Sequence, residues 1–227
     1  NTYNIAIGYN AGAAVTTGEQ NTIVGSLAGD ALTTGGTHTA IGYQALSACN
    51  TVSGNTAIGA GAIASDTKGS RSVAVGVNAL NVQNFTTSTT VYNTAVGYTA
   101  GAAITTGQNN TLLGALTGDT ITTGSNNVGV GVHAMGGGNV TGDDNTAMGF
   151  NAGSALTSGS NNTLIGHDAG LSGSPGGQFA ASNNTMVLGD ENISQCFIQV
   201  DWTVSSDERD KTEFSELDLG LDFVKAL

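Results

Sequence analysis

The sequence predicts an all-β chain folded as a parallel β-solenoid of about ten 17-residue coils, and three observations support this fold class. A motif of the type Asn-Thr-Ala-Ile-Gly, intact at Asn55–Gly59, returns at a nearly constant interval. Glycine accounts for 35 of the 227 residues and aromatic residues for only 5%, too few large side chains for an ordinary globular core. Each copy also repeats the same residue types at the same positions. A short fixed period of this kind is typical of solenoids.

Each copy can be numbered from the last residue of its motif, which we call the anchor glycine. The gaps between consecutive anchors are 17, 17, 17, 17, 21, 17, 17, 18 and 17 residues, and a looser copy follows after 23. The anchors are Gly8, Gly25, Gly42, Gly59, Gly76, Gly97, Gly114, Gly131, Gly149 and Gly166, with Gly189 in the looser copy. We expect one coil per copy with about two short strands, and a rod of about 50 Å at about 4.8 Å per coil.

The residue before the anchor is aliphatic in all ten copies. The row comprises Ile7, Val24, Ile41, Ile58, Val75, Val96, Leu113, Val130, Met148 and Ile165. Its invariance predicts one continuous buried row inside the solenoid. The alternation in Thr-Ala-Ile favours a short, half-buried strand at this point.

Four residues before the anchor, eight of the ten copies carry asparagine, with His38 and Ser72 as the exceptions. Stacked asparagine side chains can hydrogen-bond to their copies in adjacent coils, so this row predicts a ladder. Thr-Thr-Gly, as at Thr16–Gly18, predicts the return turn. The longer coils carry extra residues that we expect to bulge at one corner, as surface variation or as a recognition surface.

The residue after the anchor is aromatic or histidine in five copies: Tyr9, Tyr43, Tyr98, Phe150 and His167. Such side chains could stack on sugars or fill a seam between chains, and we favour the seam. Coils built of alanine, glycine and threonine enclose little volume. We therefore expect several chains to share one core, as a homotrimer.

Composition and charge exclude several functions. The formal net charge of −12 would repel phosphate backbones, so we expect no nucleic-acid partner. The sequence contains no apolar run long enough to predict insertion into a membrane. Cys49 and Cys196 lack metal-ligand spacing and are interpreted as small buried hydrophobic residues. His38 and His133 occupy ordinary repeat positions, and we expect no cofactor and no metal site.

The composition changes near the C-terminus, which divides the chain into three predicted segments. Residues 1–190 form the repeat shaft. Residues 191–206 contain a predicted trimerising strand with the only tryptophan, Trp202, which we expect near the three-fold axis. Residues 207–227 begin with a cluster of charges and continue with apolar residues at helical spacing, which predicts an amphipathic helix.

The repeats resemble the heads of trimeric autotransporter adhesins, and Ser72–Gly76, with the sequence Ser-Val-Ala-Val-Gly, is the most similar copy. The resemblance implies a left-handed parallel β-roll and the packing of three rolls against one another. Repeats of this kind also occur in the tail fibres of phages and marine viruses.

The C-terminal segment resembles the start of the intramolecular chaperone domain that closes many phage tail fibres and endosialidase tailspikes. The resemblance rests on Ser206–Thr212, with the sequence Ser-Asp-Glu-Arg-Asp-Lys-Thr, and on Leu219–Leu227. It implies that the segment trimerises the fibre and then cleaves itself between Ser206 and Asp207. Ser206 would be the nucleophile and Lys211 its base, since a lysine with a lowered pKa can deprotonate a serine hydroxyl.

We therefore expect a structural and adhesive fibre of a virus tail, assembled in the host cytoplasm and located on the virion. Its partners would be two further copies of the chain and a host surface receptor, with glycans among the candidates. A bacterial trimeric surface adhesin is one alternative. An ice-binding solenoid is another, because threonine recurs at one coil position from Thr22 to Thr163. The repeats hold no carboxylate pair or nucleophile constellation, so no substrate-directed enzyme activity is expected.

Overall fold

Residues 3–195 are described by the computed structural model, and they form a parallel β-solenoid. Eleven of the thirteen strands form one sheet in the order β1-β2-β3-β4-β6-β8-β9-β10-β11-β12-β13, and β5 pairs with β7 in a second, two-stranded sheet. Within the described range there is no helix, which confirms the predicted all-β class. The compact unit that holds the solenoid is Asn1–Ile193. The predictions for Trp202, Ser206 and the segment 207–227 fall outside the described residues.

Each strand is two or three residues long. The strands are β1 (Ile5–Ile7), β2 (Thr22–Val24), β3 (Thr39–Ile41), β4 (Thr56–Ile58), β5 (Gly69–Ser70), β6 (Val73–Val75), β7 (Thr89–Thr90), β8 (Thr94–Val96), β9 (Thr111–Leu113), β10 (Val128–Val130), β11 (Thr146–Met148), β12 (Thr163–Ile165) and β13 (Met186–Leu188). Equivalent repeat positions pair across neighbouring coils, as when Ala40 pairs with Ala57. Most coils carry one strand, so the expectation of two strands per coil is wrong. The remainder of each coil consists of turns joined to the next coil by backbone hydrogen bonds.

The buried row of the sheet is not the aliphatic row before the anchors, and that prediction is wrong. The side chains of Ile41 and Leu113 are 37% and 51% exposed. The buried row lies one residue earlier, at the centre of each strand, where Ala57 and Leu112 are almost fully enclosed. It comprises Ile23, Ala40, Ala57, Ala74, Ala95, Leu112, Gly129, Ala147, Leu164 and Val187. Successive strand residues face opposite sides, so a buried centre sends both of its neighbours outward.

The predicted asparagine ladder is present, and it connects side chains mainly to the backbone of the next coil. Asn110 is fully buried and shows the pattern. Its Oδ1 accepts a hydrogen bond from the backbone N–H of Asn127 at 2.9 Å. Its Nδ2 donates to the carbonyl oxygen of Gly124 at 3.0 Å. Each such side chain satisfies one donor and one acceptor that would otherwise be buried without partners.

His38 replaces asparagine in this ladder and makes equivalent hydrogen bonds. Its Nε2 lies 2.7 Å from the carbonyl oxygen of Val52, and its Nδ1 accepts the backbone N–H of Asn55 at 3.1 Å. The imidazole must therefore be neutral with its proton on Nε2. Burial lowers the pKa of His38 and keeps it in this state, although both hydrogen bonds oppose the shift.

Ser72 is too short to make the asparagine contacts, and a buried glutamine extends the network at this coil. Gln83 donates through Nε2 to Ser72 Oγ at 3.2 Å and to Asp66 Oδ2 at 2.5 Å. Its Oε1 accepts from Asn93 Nδ2 at 2.9 Å, which connects it to the next ladder residue. Asp66 also accepts the backbone N–H of Gly69 at 2.8 Å. The network explains how polar residues are accommodated inside these less regular coils.

The anchor glycines are required by both space and backbone conformation. At Gly42 the φ angle is +134°, which L-residues with side chains rarely adopt. A Cβ atom at this position would lie 2.7 Å from the carbonyl oxygen of Gly59 in the next coil. Adjacent coils therefore stack closely at the anchor because neither carries a side chain there.

The extra residues of the longer coils lie in the return segment that follows the anchor. In the 21-residue coil most of them precede β7, which pairs with β5 of the preceding 17-residue coil. In the 23-residue coil, Ala180 accepts the backbone N–H of Thr157 and so restores the regular contact after the insertion. The strands on either side of both insertions stay in register. The solenoid thus accommodates changes of coil length without any shift in its main sheet.

Candidate self-association surface

The outer side of the main sheet is built from three adjacent rows of side chains. The first and third residues of each strand point outward, since the second residue is buried. The first residues form a row made mostly of threonine and other β-branched residues. The third residues form the aliphatic row before the anchors. The residue after each anchor supplies the third row. We call these three rows the outer face.

The outer face is apolar over most of its length. Large side chains in it remain substantially exposed: Tyr9 72%, Tyr43 54%, Tyr98 58%, Leu113 51% and Phe150 51%. They lie outside the coil interior, which is filled by alanine together with larger side chains such as Leu32, Ile63 and Leu80. Isolated exposed apolar residues are ordinary, but a contiguous strip of them indicates an interaction surface.

The outer face is also almost free of charge. From Ile5 to Phe150 none of its three rows holds an acidic or basic residue, although the chain carries a formal net charge of −12. The acidic residues of the described solenoid lie mainly in the turns, as with Asp30, Asp143 and Asp144. Association through this face would therefore bring together uncharged surfaces and leave the acidic turns in water.

Threonines pair in register along the outer face. Thr22 pairs with Thr39 and Thr39 with Thr56, while Val73 and Val128 interrupt the row elsewhere. The strand backbone keeps these side chains at the inter-strand spacing of about 4.8 Å. The same face thus offers a regular hydroxyl row beside an aliphatic row.

The described residues enclose no pocket. Cys49 is fully buried, and burial raises the pKa of its thiol to about 12, which confirms its interpretation as a small buried hydrophobic residue. Nor does any helix long and apolar enough to cross a bilayer occur between residues 3 and 195.

The predicted catalytic residues Ser206 and Lys211, and the bond before Asp207, lie outside the described residues. Their proximity therefore stays a prediction.

The two faces of each strand can be recognised in the sequence, since the residue two before each anchor is small or aliphatic in every copy. The period of two in a strand places that second row on the face opposite the aliphatic row, so the sequence offers two candidates for the buried row.

No protein-family model, curated protein or solved structure matches the chain.

Proposed function

We propose that this chain is a structural and adhesive fibre protein of a virus tail, which assembles as a homotrimer and attaches the particle to its host. The observation that carries the proposal is the uncharged apolar outer face of a solenoid whose coils have filled interiors. Burying apolar surface contributes about 25 cal/mol per Å², so pairing such strips along many coils would strongly stabilise an assembly. The fibre interpretation extends this assembly with the resemblances of the repeats and of the C-terminal segment.

Three copies are expected because both families that the chain resembles form trimers. In the trimer, the outer faces would meet and cover the aliphatic and aromatic rows. The acidic turns and the insertions in the return segments would stay outside, where they can contact a receptor. Host attachment is therefore assigned to the turns and not to the outer face.

Sedimentation analysis of the chain tests the assembly. The parent should sediment as a trimer. Leu113→Asp places a charge on the outer face and should shift the protein to monomers, because burying an unpaired charge is costly. Thr106→Asp, an exposed change in the return segment of the preceding coil, should leave the trimer intact. A folded monomeric parent, or equal behaviour of the two variants, would refute the role of the outer face.

The location on the virion and the receptor class need separate tests. Antibodies against the chain should label the tails of virus particles that encode it, as seen by electron microscopy. Labelling of bacterial surfaces instead would favour the surface-adhesin alternative. A glycan array probed with the trimer tests the receptor class. Loss of binding after changes in the insertions, with binding kept after Leu113→Ala, would support recognition by the turns.

Self-cleavage at the C-terminal segment is a distinct part of the proposal. In the full-length protein, Ser206→Ala and Lys211→Ala should each leave one band on a denaturing gel where the parent gives two. The released fragment should begin with Asp207. Normal processing of both variants would show that these two residues do not carry out the cleavage. Loss of the trimerising segment would leave the fibre kinetically trapped in its folded state.

Ice binding is the second candidate, and the in-register threonine row favours it specifically. The sheet repeats hydroxyl and methyl groups at a constant spacing of about 4.8 Å, which offers bound water a regular template. A thermal-hysteresis measurement distinguishes the candidates. Activity that disappears in Thr39→Tyr and persists in Thr106→Tyr would favour ice binding, and no hysteresis in the parent would exclude it.

A further inference from the structure

The last coils place one histidine, two aspartate side chains and one aromatic ring together at one end of the described solenoid. Phe150, His167 and Asp190 each follow an anchor glycine, so they occupy the same position in three successive coils. The pairing of Ile165 with Leu188 fixes this stacking despite the 23-residue coil between them. His167 Nδ1 lies 3.0 Å from Asp190 Oδ2, and the adjacent Asp168 contributes Oδ2 at 3.5 Å.

The surrounding residues hold each member of this cluster in position. Asn151 Nδ2 donates to Asp168 Oδ1 at 3.0 Å, which leaves Oδ2 directed to the histidine. The backbone N–H of Asn192 donates to Asp190 Oδ1 at 3.0 Å. The ring of Phe150 stacks on the imidazole with centroids 5.6 Å apart and planes 14° from parallel. Hydrogen bonds of this kind to ligand side chains are the usual support of a metal site.

We propose that His167, Asp168 and Asp190 form a binding site for a divalent transition-metal ion such as Zn²⁺. One imidazole nitrogen and two carboxylate oxygens from these residues lie within 4.8 Å of one another. Ligands bound to one Zn²⁺ at about 2.0–2.2 Å are separated by roughly 3–4 Å, so only a small closure is needed. The inference does not depend on the proposed fibre function.

The ligand chemistry selects the class of metal. Ca²⁺ takes about 6–8 oxygen ligands, which two carboxylates and an imidazole do not supply. A nitrogen ligand with two carboxylates suits Zn²⁺ and its neighbours in the first transition row. His167 belongs to the third row of the outer face, and in the single chain its side chain is 61% exposed, so a water molecule or a group from a neighbouring copy can complete the coordination. A bound ion would then be open to ligands from a second molecule.

The charge around the cluster favours a cation. His167 faces the carboxylates of Asp168 and Asp190, and Glu191 follows Asp190 in the chain.

Calorimetric titration of the full chain with Zn²⁺ tests the site. One ion should bind per chain, and His167→Asn or Asp190→Asn should weaken binding by about tenfold or more, since even the loss of a supporting contact costs about that much. Two matched controls, His133→Asn and Asp144→Asn, should bind like the parent because they lie outside the cluster. Co²⁺ provides a second measurement, with an absorption band from the His167-ligated ion that the His167→Asn variant lacks.

Specific outcomes overturn the proposal. Absence of Zn²⁺ binding by the parent would show that the cluster is only an ion pair at the end of the solenoid. Equal binding by the His167→Asn and His133→Asn variants would place the metal elsewhere. Circular dichroism and thermal unfolding of each variant without metal ensure that weaker binding is not caused by unfolding. Zn²⁺ should raise the unfolding temperature of the parent but not that of His167→Asn.

Discussion

Replacing a ladder asparagine by aspartate should destabilise the solenoid in a pH-dependent way. Asn110 is fully buried, and its Nδ2 donates to the carbonyl oxygen of Gly124 at 3.0 Å and to Asn93 Oδ1 at 3.2 Å. Asn110→Asp keeps the shape of the side chain but replaces the amide donor with a carboxylate oxygen. Both neighbouring oxygens are acceptors and would lose their donor. Ionised, the new carboxylate would be buried and unpaired. Protonated, it could donate to one of them in place of the amide.

The magnitude follows from the cost of keeping the carboxyl neutral. An unperturbed aspartate has a pKa of about 3.9, and full burial can raise this by up to about 3–5 units. Each unit corresponds to about 1.4 kcal/mol. At pH 7 the variant should therefore lose about 4 kcal/mol of unfolding free energy. The folded variant holds its proton more tightly than the unfolded chain does, so the deficit shrinks as the pH falls toward about 4.

The matched control is Asn109→Asp, one residue earlier. Asn109 is exposed, and its Nδ2 donates only to Asn126 Oδ1 at 3.2 Å. Aspartate tolerates the positive φ of 57° at this position nearly as well as asparagine does. Urea unfolding at several pH values should show a lower midpoint for Asn110→Asp than for Asn109→Asp at pH 7, with the gap closing in acid. Equal midpoints at pH 7, or a gap independent of pH, would refute the ladder argument.

Three further predictions follow from the packing of the coils. Gly42→Ala should prevent stable folding, because the Cβ of the new alanine would overlap the backbone of the next coil. Gly54→Asn should keep the urea midpoint of the parent, because the atom nearest to a Cβ at that position is 3.6 Å away. Ile23→Ala should lower the unfolding free energy of the chain by about 2–5 kcal/mol; Ile58→Ala should cost less in monomers, and equal losses would contradict the assignment of inner and outer rows. Burial lowers the pKa of His38, so the unfolded chain takes up a proton at a higher pH than the folded chain does. The parent should therefore lose stability as the pH falls below about 6.5, and His38→Asn should remove this loss. Identical pH profiles of the unfolding midpoint in parent and variant would show that His38 does not cause this loss.

The repeat period and the ladder could be predicted from the sequence because both depend only on spacing. Which side of the strand faces inward could not be deduced from the aliphatic row alone. A strand fixes that Thr56 and Ile58 share one face and that Ala57 faces the other, but either face can be the buried one. The structure resolves this choice, because the strand centres share the interior with buried leucine and isoleucine side chains such as Leu32 and Ile63, and the aliphatic row lies on the other face of the strand.

The cluster of His167 with Asp190 was hidden by the irregular coil between them. Its members are 23 residues apart in a chain whose usual period is 17, so simple spacing does not align them. Anchoring both residues on their preceding glycines would have revealed the equivalence. The role of His38 as a substitute for asparagine could not be deduced, because it depends on which imidazole nitrogen meets which backbone group.

The return segments that absorb insertions have an evolutionary consequence. Coils of 17, 18, 21 and 23 residues all present the same three-residue strand to their neighbours. A mutation that lengthens one return segment therefore leaves the other coils unaffected, and each coil becomes an independent locus for variation. Selection can change the outline of such a molecule one coil at a time, and duplication of whole coils lengthens it without a new folding problem. A lineage built on this architecture can diversify its exposed turns while conserving the ladder that supports them.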